Sequence, residues 1–412
     1  MATMCAVMSP SWQNRELRGG ADKLAAVTTP AATVGVIGGG QLARMMHAAS
    51  IGLGLRLRLL AEGPDVSAAQ VVHDVAVGDY TDPAVVAGFA AGCDVITFDH
   101  EHVPTAILHD LEAAGTAVRP GPEALVHAQD KAVMRERLGA LGVPCPANRV
   151  VADAAELVAF GDAHGWPTIA KTSRGGYDGK GVWKLDSPEQ AGVPFDGLHG
   201  LRADAVVIAE EYVDFTRELS VLVARRPGGQ AVVYPVSETL QTDGICVATT
   251  TPAPGLRPDQ VRDLQAMALR IAQELGVVGI LAVELMEARD GRIVVNELAM
   301  RPHNTGHWSI DGAVTSQFEN HLRAVADLPL GSTALVAPCA VMVNVLGGAR
   351  TDLLGGLSGL FAFDRAIRVQ LYGKDVVPGR KVGHVTAVGA DVADTSQRAW
   401  RAARHLRGDS DE

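Results

Sequence analysis

From Thr33 onward, hydrophobic and polar positions fall into strand-like and helix-like runs. Thr33–Ile37 is a short apolar stretch, Gly38-Gly39-Gly40 a turn, and Gln41–Ser50 carries apolar residues at helical spacing. Arg56–Ala61 and Asp94–Phe98 repeat the buried-strand pattern. Between them, Asp82-Pro83 supplies an N-cap and a first-turn proline for a helix. Strands alternating with helices predict a parallel sheet covered on both faces, a first domain that ends near Pro120-Gly121-Pro122.

The pattern then changes. A helix is predicted over Ala128–Leu141, stopped by Gly142-Val143-Pro144. Strands are expected at Thr168–Thr172, Val206–Glu210, Leu219–Ala224 and Val232–Tyr234. A long amphipathic helix from Pro258 to Leu275, the strand pair Ile280–Glu287 and Arg292–Leu298, and a helix near Gln317–Ala326 complete the block. Beyond Ala337 come short strands at Ala340–Val345, Arg368–Tyr372 and His384–Val388. The expected fold class is multidomain, α/β followed by α+β: an irregular extension over 1–30, a Rossmann-like domain over 31–125, an α+β domain over 126–335 and a small β-rich C-terminal domain over 336–412.

Composition narrows the function classes. With 412 residues, 47% hydrophobic and 20% charged, the chain can bury full-sized cores without disulfide or metal staples. A net charge of −11 lacks the basic footprint of a nucleic-acid binder. No apolar run reaches the roughly 20 residues of a membrane span, and residues 1–30 lack the apolar core of a secretory signal. The five cysteines are scattered, which suits a reducing compartment. A cytoplasmic protein with small-molecule substrates is expected, without nucleic-acid or membrane partners.

Three features carry candidate chemistry. Gly38-Gly39-Gly40-Gln41-Leu42-Ala43 fits a G-x-G-x-x-A turn, with Glu62 at the end of the next strand where a dinucleotide fold places its ribose-binding acid. The same turn serves equally as a bare structural turn or a site for another phosphate. The segment Lys171–Val182 holds four glycines between Gly175 and Gly181, with Lys171 and Lys180 adding charge for a phosphate chain. Third, Asp290-Gly291 signals a hairpin. If those two residues form the loop, Glu284 lies directly opposite Glu297, a like-charge pair that a divalent cation such as Mg²⁺ relieves. Arg301 follows closely, placed to stabilise charge on a transferring phosphoryl group.

Taken in order, Gly38-Gly-Gly-Gln-Leu42, Gly175-Gly-Tyr-Asp-Gly-Lys-Gly181, Asn296-Glu-Leu-Ala-Met-Arg-Pro-His-Asn-Thr-Gly-His-Trp308 and Pro378-Gly-Arg-Lys-Val-Gly-His384 resemble the ATP-grasp superfamily. Within it they resemble the 5-(carboxyamino)imidazole ribonucleotide synthase family of purine biosynthesis. The resemblance implies a Rossmann-like preATP-grasp domain, an ATP-grasp domain and a small C-terminal domain, with ATP and Mg²⁺ as cofactors. It implies 5-aminoimidazole ribonucleotide, bicarbonate and ATP as substrates, and a homodimer.

It also implies roles for individual residues. Lys131 and Lys171 contact the ATP phosphates, and the loop Gly176, Tyr177, Asp178, Gly179, Lys180, Gly181 and Val182 closes over them. Glu210, Glu211, Tyr212 and Val213 form the adenine hinge, Glu218 accepts from the ribose, and Gln241 and Asn296 complete the nucleotide site. Glu284 and Glu297 hold the metal. Tyr177, Asp178 and Lys180 border the acceptor, whose phosphate meets Gln41, Leu42, Lys374, Arg380 and Lys381. Lys171, Asp178 and Arg301 take the catalytic roles. This chain has Asp99 in Phe98-Asp-His-Glu101 where the family more often shows Glu-Phe-Glu, Lys131 where Arg is common, and Thr305 for Ser. Rival readings are another ATP-grasp ligase or transformylase acting on a ribonucleotide, and an NAD-dependent oxidoreductase.

Overall fold

The computed structural model describes residues 32–175, 181–197 and 205–409. The extension and the loop residues Gly176, Tyr177, Asp178, Gly179 and Lys180 lie outside them.

The first block runs β1 (Thr33–Ile37), α1 (Gln41–Leu53), β2 (Arg56–Ala61), β3 (Asp74–Val77), α2 (Pro83–Ala90), β4 (Val95–Phe98), α3 (Thr105–Ala113) and β5 (Ala117–Val118). Its strands form one parallel sheet ordered β3-β2-β1-β4-β5. As the N-cap reading requires, Asp82 accepts from the amides of Ala84 and Val85 with Pro83 at the first helical position.

The single helix expected over 128–141 is two, α4 (Pro122–Gln129) and α5 (Lys131–Ala140). Asp130 stands between them with φ −133°, and its carboxylate caps the amides of Ala132 and Val133. Apolar spacing runs through the break, so only the capping chemistry marks it. Next come β6 (Asn148–Val151), α6 (Ala154–His164), β7 (Thr168–Thr172), β8 (Val182–Leu185), α7 (Val193–Gly197) and β9 (Val207–Glu211), whose strands make an antiparallel sheet ordered β6-β9-β7-β8.

The remainder builds one large sheet from β10 (Phe215–Arg225), β11 (Ala231–Val233), β12 (Ser237–Thr242), β13 (Ile245–Thr251), β14 (Gly279–Ala288), β15 (Ile293–Ala299), β16 (Cys339–Leu346), β17 (Arg368–Leu371) and β18 (Lys381–Gly389). Its order is β15-β14-β10-β12-β13-β16-β18-β17, with β11 on β10. Five helices accompany it: α8 (Pro258–Glu274), α9 (Ser309–Gly312), α10 (Gln317–Val325), α11 (Leu353–Phe363) and α12 (Val392–Arg407). Strands from both sides of residue 336 thus share a sheet through the β13–β16 ladder.

Two contacts place the glycine turn against this sheet. Leu42 and Met46 of α1 share a core with Phe318, Leu322 and Val325 of α10. Fully buried His321 bridges the sheets, Nε2 lying 2.8 Å from Thr97 Oγ1 of β4 and Nδ1 accepting from the Ile280 amide of β14. Since Nδ1 accepts, the ring proton sits on Nε2 and donates to Thr97.

Candidate active site

The hairpin β14–β15 pairs Glu284 with Glu297, but not by the route the two-residue loop implies. Ala288 and Arg292 bond across a three-residue loop, with Gly291 at φ +87°, so Leu285 faces Val295. Continued unchanged, that register would set Glu284 opposite Asn296. A bulge at Asn296 shifts it by one residue and restores the facing carboxylates, turning Asn296 into the same cavity.

That cavity, of about 710 Å³, lies where β14, β15, the four-stranded sheet and the start of α5 meet. It is lined by Lys131, Lys171, Val182, Glu210, Glu211, Tyr212, Val213, Glu218, Gln241, Glu284, Asn296, Glu297, Arg301 and Lys381. Gly181 supports its edge, its carbonyl accepting from the Thr172 amide and its φ at +70°.

Beneath the cavity is a buried ion triad that the sequence does not announce. Glu210, 2% exposed, receives Arg135 Nε at 2.6 Å and Lys171 Nζ at 2.8 Å. Burial alone would raise its pKa; Lys171 and Arg135 outweigh that and pull it down to about 2. The Glu210 side chain therefore anchors Lys171, while Tyr212 and Val213, past the strand end, line the cavity. Lys171 also reaches Asn296 Oδ1 at 3.3 Å. Lys131 sits 3.0 Å from Glu297 and is set in place twice, by the Asp130 cap and by its own amide on the Ser173 carbonyl. Asp130 also takes Arg174 at 2.8 Å.

The other carboxylate is equally engaged. Glu284 lies 3.1 Å from His303 Nε2, and His303 Nδ1 meets Thr305 Oγ1, which bonds Ser220 on β10. His303 and His307 do not share a helix turn, since a short 3₁₀ turn at Asn304–Gly306 separates them. Glu218 has its pKa pushed up to about 7 by burial and by the nearby Glu284. Arg301 Nε donates to Glu101 Oε2 at 2.7 Å, and that contact keeps Glu101 ionised against the cost of burial.

A second cavity, of about 660 Å³, opens at the glycine turn. Lys374 and Arg380 line it, whereas Lys381 faces the first cavity, because consecutive residues entering β18 point to opposite sides. Lys374 bonds the Gln41 side chain, and Leu42 is buried in the core. Two carboxylates occupy amides of the turn: Glu62 accepts from Gly39 at 3.0 Å, and Asp99 from Gly40 at 3.0 Å and Ala43 at 2.7 Å. Glu62 therefore does not stand as a ribose acceptor, and the amides a dinucleotide pyrophosphate would need at Gly39 and Gly40 are taken. Asp99, short as it is, thus reaches the first turn of α1.

Comparison with known proteins identifies the family. Residues 31–129 match the ribonucleotide synthetase preATP-grasp domain, 136–318 the ATP-grasp domain, and 340–398 the phosphoribosylaminoimidazole carboxylase C-terminal domain. The N5-carboxyaminoimidazole ribonucleotide synthase of Mycobacterium tuberculosis (strain ATCC 25618 / H37Rv) is 51% identical over 393 residues, 93% of this chain and 91% of that one. The crystal structure of the synthetase from Thermus thermophilus is 34% identical with a TM-score of 0.81, covering 92% and 99%. A synthase from Aspergillus clavatus in complex with ADP and 5-aminoimidazole ribonucleotide is 28% identical with a TM-score of 0.81, covering 91% and 98%. No helix among the described residues is long and apolar enough to cross a membrane. With all three domain types in order and such identity over nearly the whole length, the chain belongs to the N5-carboxyaminoimidazole ribonucleotide synthase family of ATP-grasp ligases.

Proposed function

We propose that the protein carboxylates 5-aminoimidazole ribonucleotide in purine biosynthesis. ATP phosphorylates bicarbonate to carboxyphosphate, releasing ADP. The exocyclic amine of the ribonucleotide then takes the carboxyl group and phosphate leaves. The observation that carries this reading is the facing pair Glu284–Glu297, set among Lys131, Lys171 and Arg301 in one cavity. Phosphoryl transfer asks chiefly for positioning and charge neutralisation, which this arrangement supplies.

Lys131 and Lys171 bind the ATP phosphates, Tyr212 and Val213 hold the base by their backbone, and Glu218 and Gln241 line the nucleotide's way in. Arg301, held by Glu101, faces the charge that develops on the phosphoryl group. Glu284, Glu297 and Asn296 fit Mg²⁺: their oxygens are hard ligands, and Glu284 and Glu297 already hold His303 and Lys131 at 3.1 and 3.0 Å. No cluster of three or more His, Cys, Asp or Glu placed for a metal occurs among the described residues, and an ion held by this pair would take its remaining oxygens from nucleotide phosphates and water. Bound there, the ion neutralises phosphate charge.

Lys374 and Arg380 serve the acceptor's phosphate, with Lys381 on the bicarbonate side. Asp178, with Tyr177 and Lys180, borders the acceptor from the glycine loop. We assign the preATP-grasp domain to 31–125, the ATP-grasp domain to 126–335 and the C-terminal domain to 336–412, the last two sharing a sheet, and we place the protein in the cytoplasm as a homodimer.

ADP release from MgATP, with bicarbonate and ribonucleotide added separately and together, tests the reading. Release that requires the ribonucleotide and yields carboxylated product is expected. Release indifferent to it would move the search to another acceptor, and NADH binding without ADP release would return the oxidoreductase.

A further inference from the structure

The glycine-turn cavity poses an electrostatic problem for an anionic ligand. Lys374 and Arg380 share its wall with four carboxylates, Glu62, Asp65, Asp99 and Asp375. Asp99 places one oxygen on the Gly40 amide and the other on that of Ala43. Glu62 places Oε2 on the Gly39 amide, but its side chain is 41% exposed and free to swing into the cavity if its other oxygen is released.

That other oxygen, Oε1, lies 3.3 Å from His100 Nε2. The His100 ring is fixed on several sides. It packs on Gly38, where an added Cβ would come within 2.7 Å of Cδ2, and its centroid lies 4.6 Å from that of Tyr80 and 5.0 Å from that of His102. Its Nδ1 accepts the His102 amide at 3.2 Å, so the proton of the neutral ring sits on Nε2, which is 3.3 Å from Glu62 but not aligned as a hydrogen bond. His100 lines the first cavity and Glu62 the second, so the pair forms part of the wall between them. Burial would raise the pKa of Glu62, yet His100 and the backbone amides pull it down to about 2, leaving a full negative charge to be restrained.

We propose that His100 is a positioning residue for the acceptor's phosphate: it holds the Glu62 carboxylate on the Gly39 amide, out of the anion's way. The proposal rests on the acceptor reading given above and adds a residue that never touches the phosphate. Phe, which the family more often carries at this position, would fill the place against Gly38 and Tyr80 but offer no proton to Glu62, so the restraint belongs to this chain's own pairing of His100 with Glu62.

The test is calorimetric binding of 5-aminoimidazole ribonucleotide to the full-length protein and to the variants His100→Phe, Glu62→Gln and the two combined, with the ATP KM measured beside it. His100→Phe is expected to weaken ribonucleotide binding on the order of tenfold, the scale of one charge-assisted hydrogen bond. The ribonucleotide Kd rises far more than the ATP KM, and the double variant regains the affinity of Glu62→Gln, whose amide oxygen still accepts from Gly39 without a charge. Wild-type affinity in His100→Phe, or a double variant that stays weak, overturns the role while leaving the acceptor reading intact. A parallel rise in the ATP KM marks a general structural defect and also overturns it. Wild-type protein that binds no ribonucleotide removes the acceptor reading and this role together.

Discussion

Glu210 carries no charge that the reaction consumes, yet its replacement should be among the costliest single changes in the molecule. In Glu210→Gln the shape survives but Arg135, 3% exposed, and Lys171, 8% exposed, keep their charges without the carboxylate between them. The magnitude follows from linkage. The folded pKa is about 2 against an ordinary value of 4.5, a gap of ~2.5. At ~1.4 kcal/mol per unit, the ionised carboxylate contributes ~3–4 kcal/mol at neutral pH. Removing one partner of a buried ion pair costs ~3–5 kcal/mol by mutagenesis, so the two routes agree.

The sign is set by the depressed folded pKa. The contribution is fully present above the unfolded pKa, near 4.5, and is lost as pH falls toward 2. Urea unfolding at a series of pH values would read it. At pH 7 the variant should lie ~3–4 kcal/mol below wild type, and the gap should close as pH falls through that window. A variant within ~0.5 kcal/mol of wild type at pH 7 would refute the reasoning, as would a gap that persists unchanged in acid.

The remaining expectations concern the cavity directly. Glu297→Gln should abolish ADP release while leaving the melting temperature nearly unchanged, because the Glu297 side chain is 41% exposed and its pair with Lys131 is solvated from that side; undiminished turnover would remove the metal assignment. Asp130→Ala loses the α5 cap and the Arg174 contact, so it should lower stability by ~1–2 kcal/mol in thermal unfolding and raise the ATP KM through Lys131. Glu218→Gln should stabilise the ligand-free protein at pH 8 and not at pH 4.5. Its raised folded pKa, about 7, means that ionisation costs the fold as pH climbs from the unfolded value through 7, and melting curves at the two pH values check this.

Much of the fold was legible because local chemistry and tertiary demand coincide. Thr33–Ile37, Arg56–Ala61 and Thr168–Thr172 are strands over the very residues whose apolar run predicts them, and the Asp82-Pro83 signal opens α2 as capping chemistry requires. These patterns need only neighbours in sequence. The missed β12, Ser237–Thr242, is rich in Ser, Thr and Gln, and becomes a strand because the ladders to β10 and β13 hold it.

The site divides in the same way. The sequence by itself determined which residue types were available: two acids on a hairpin, lysines around a glycine loop, a glycine turn before a helix. Only the tertiary structure decided how they pair. The Glu284–Glu297 register depends on a bulge that no spacing rule exposes, and Glu210 meets Arg135 across 75 residues of chain. Glu62 and Asp99 fill turn amides that the motif offers to a phosphate. Arg380 and Lys381, adjacent in sequence, serve different cavities. The physical reason is common to all four: burial obliges every charge and amide to find a partner, and which partner lies within reach is settled by how distant segments pack.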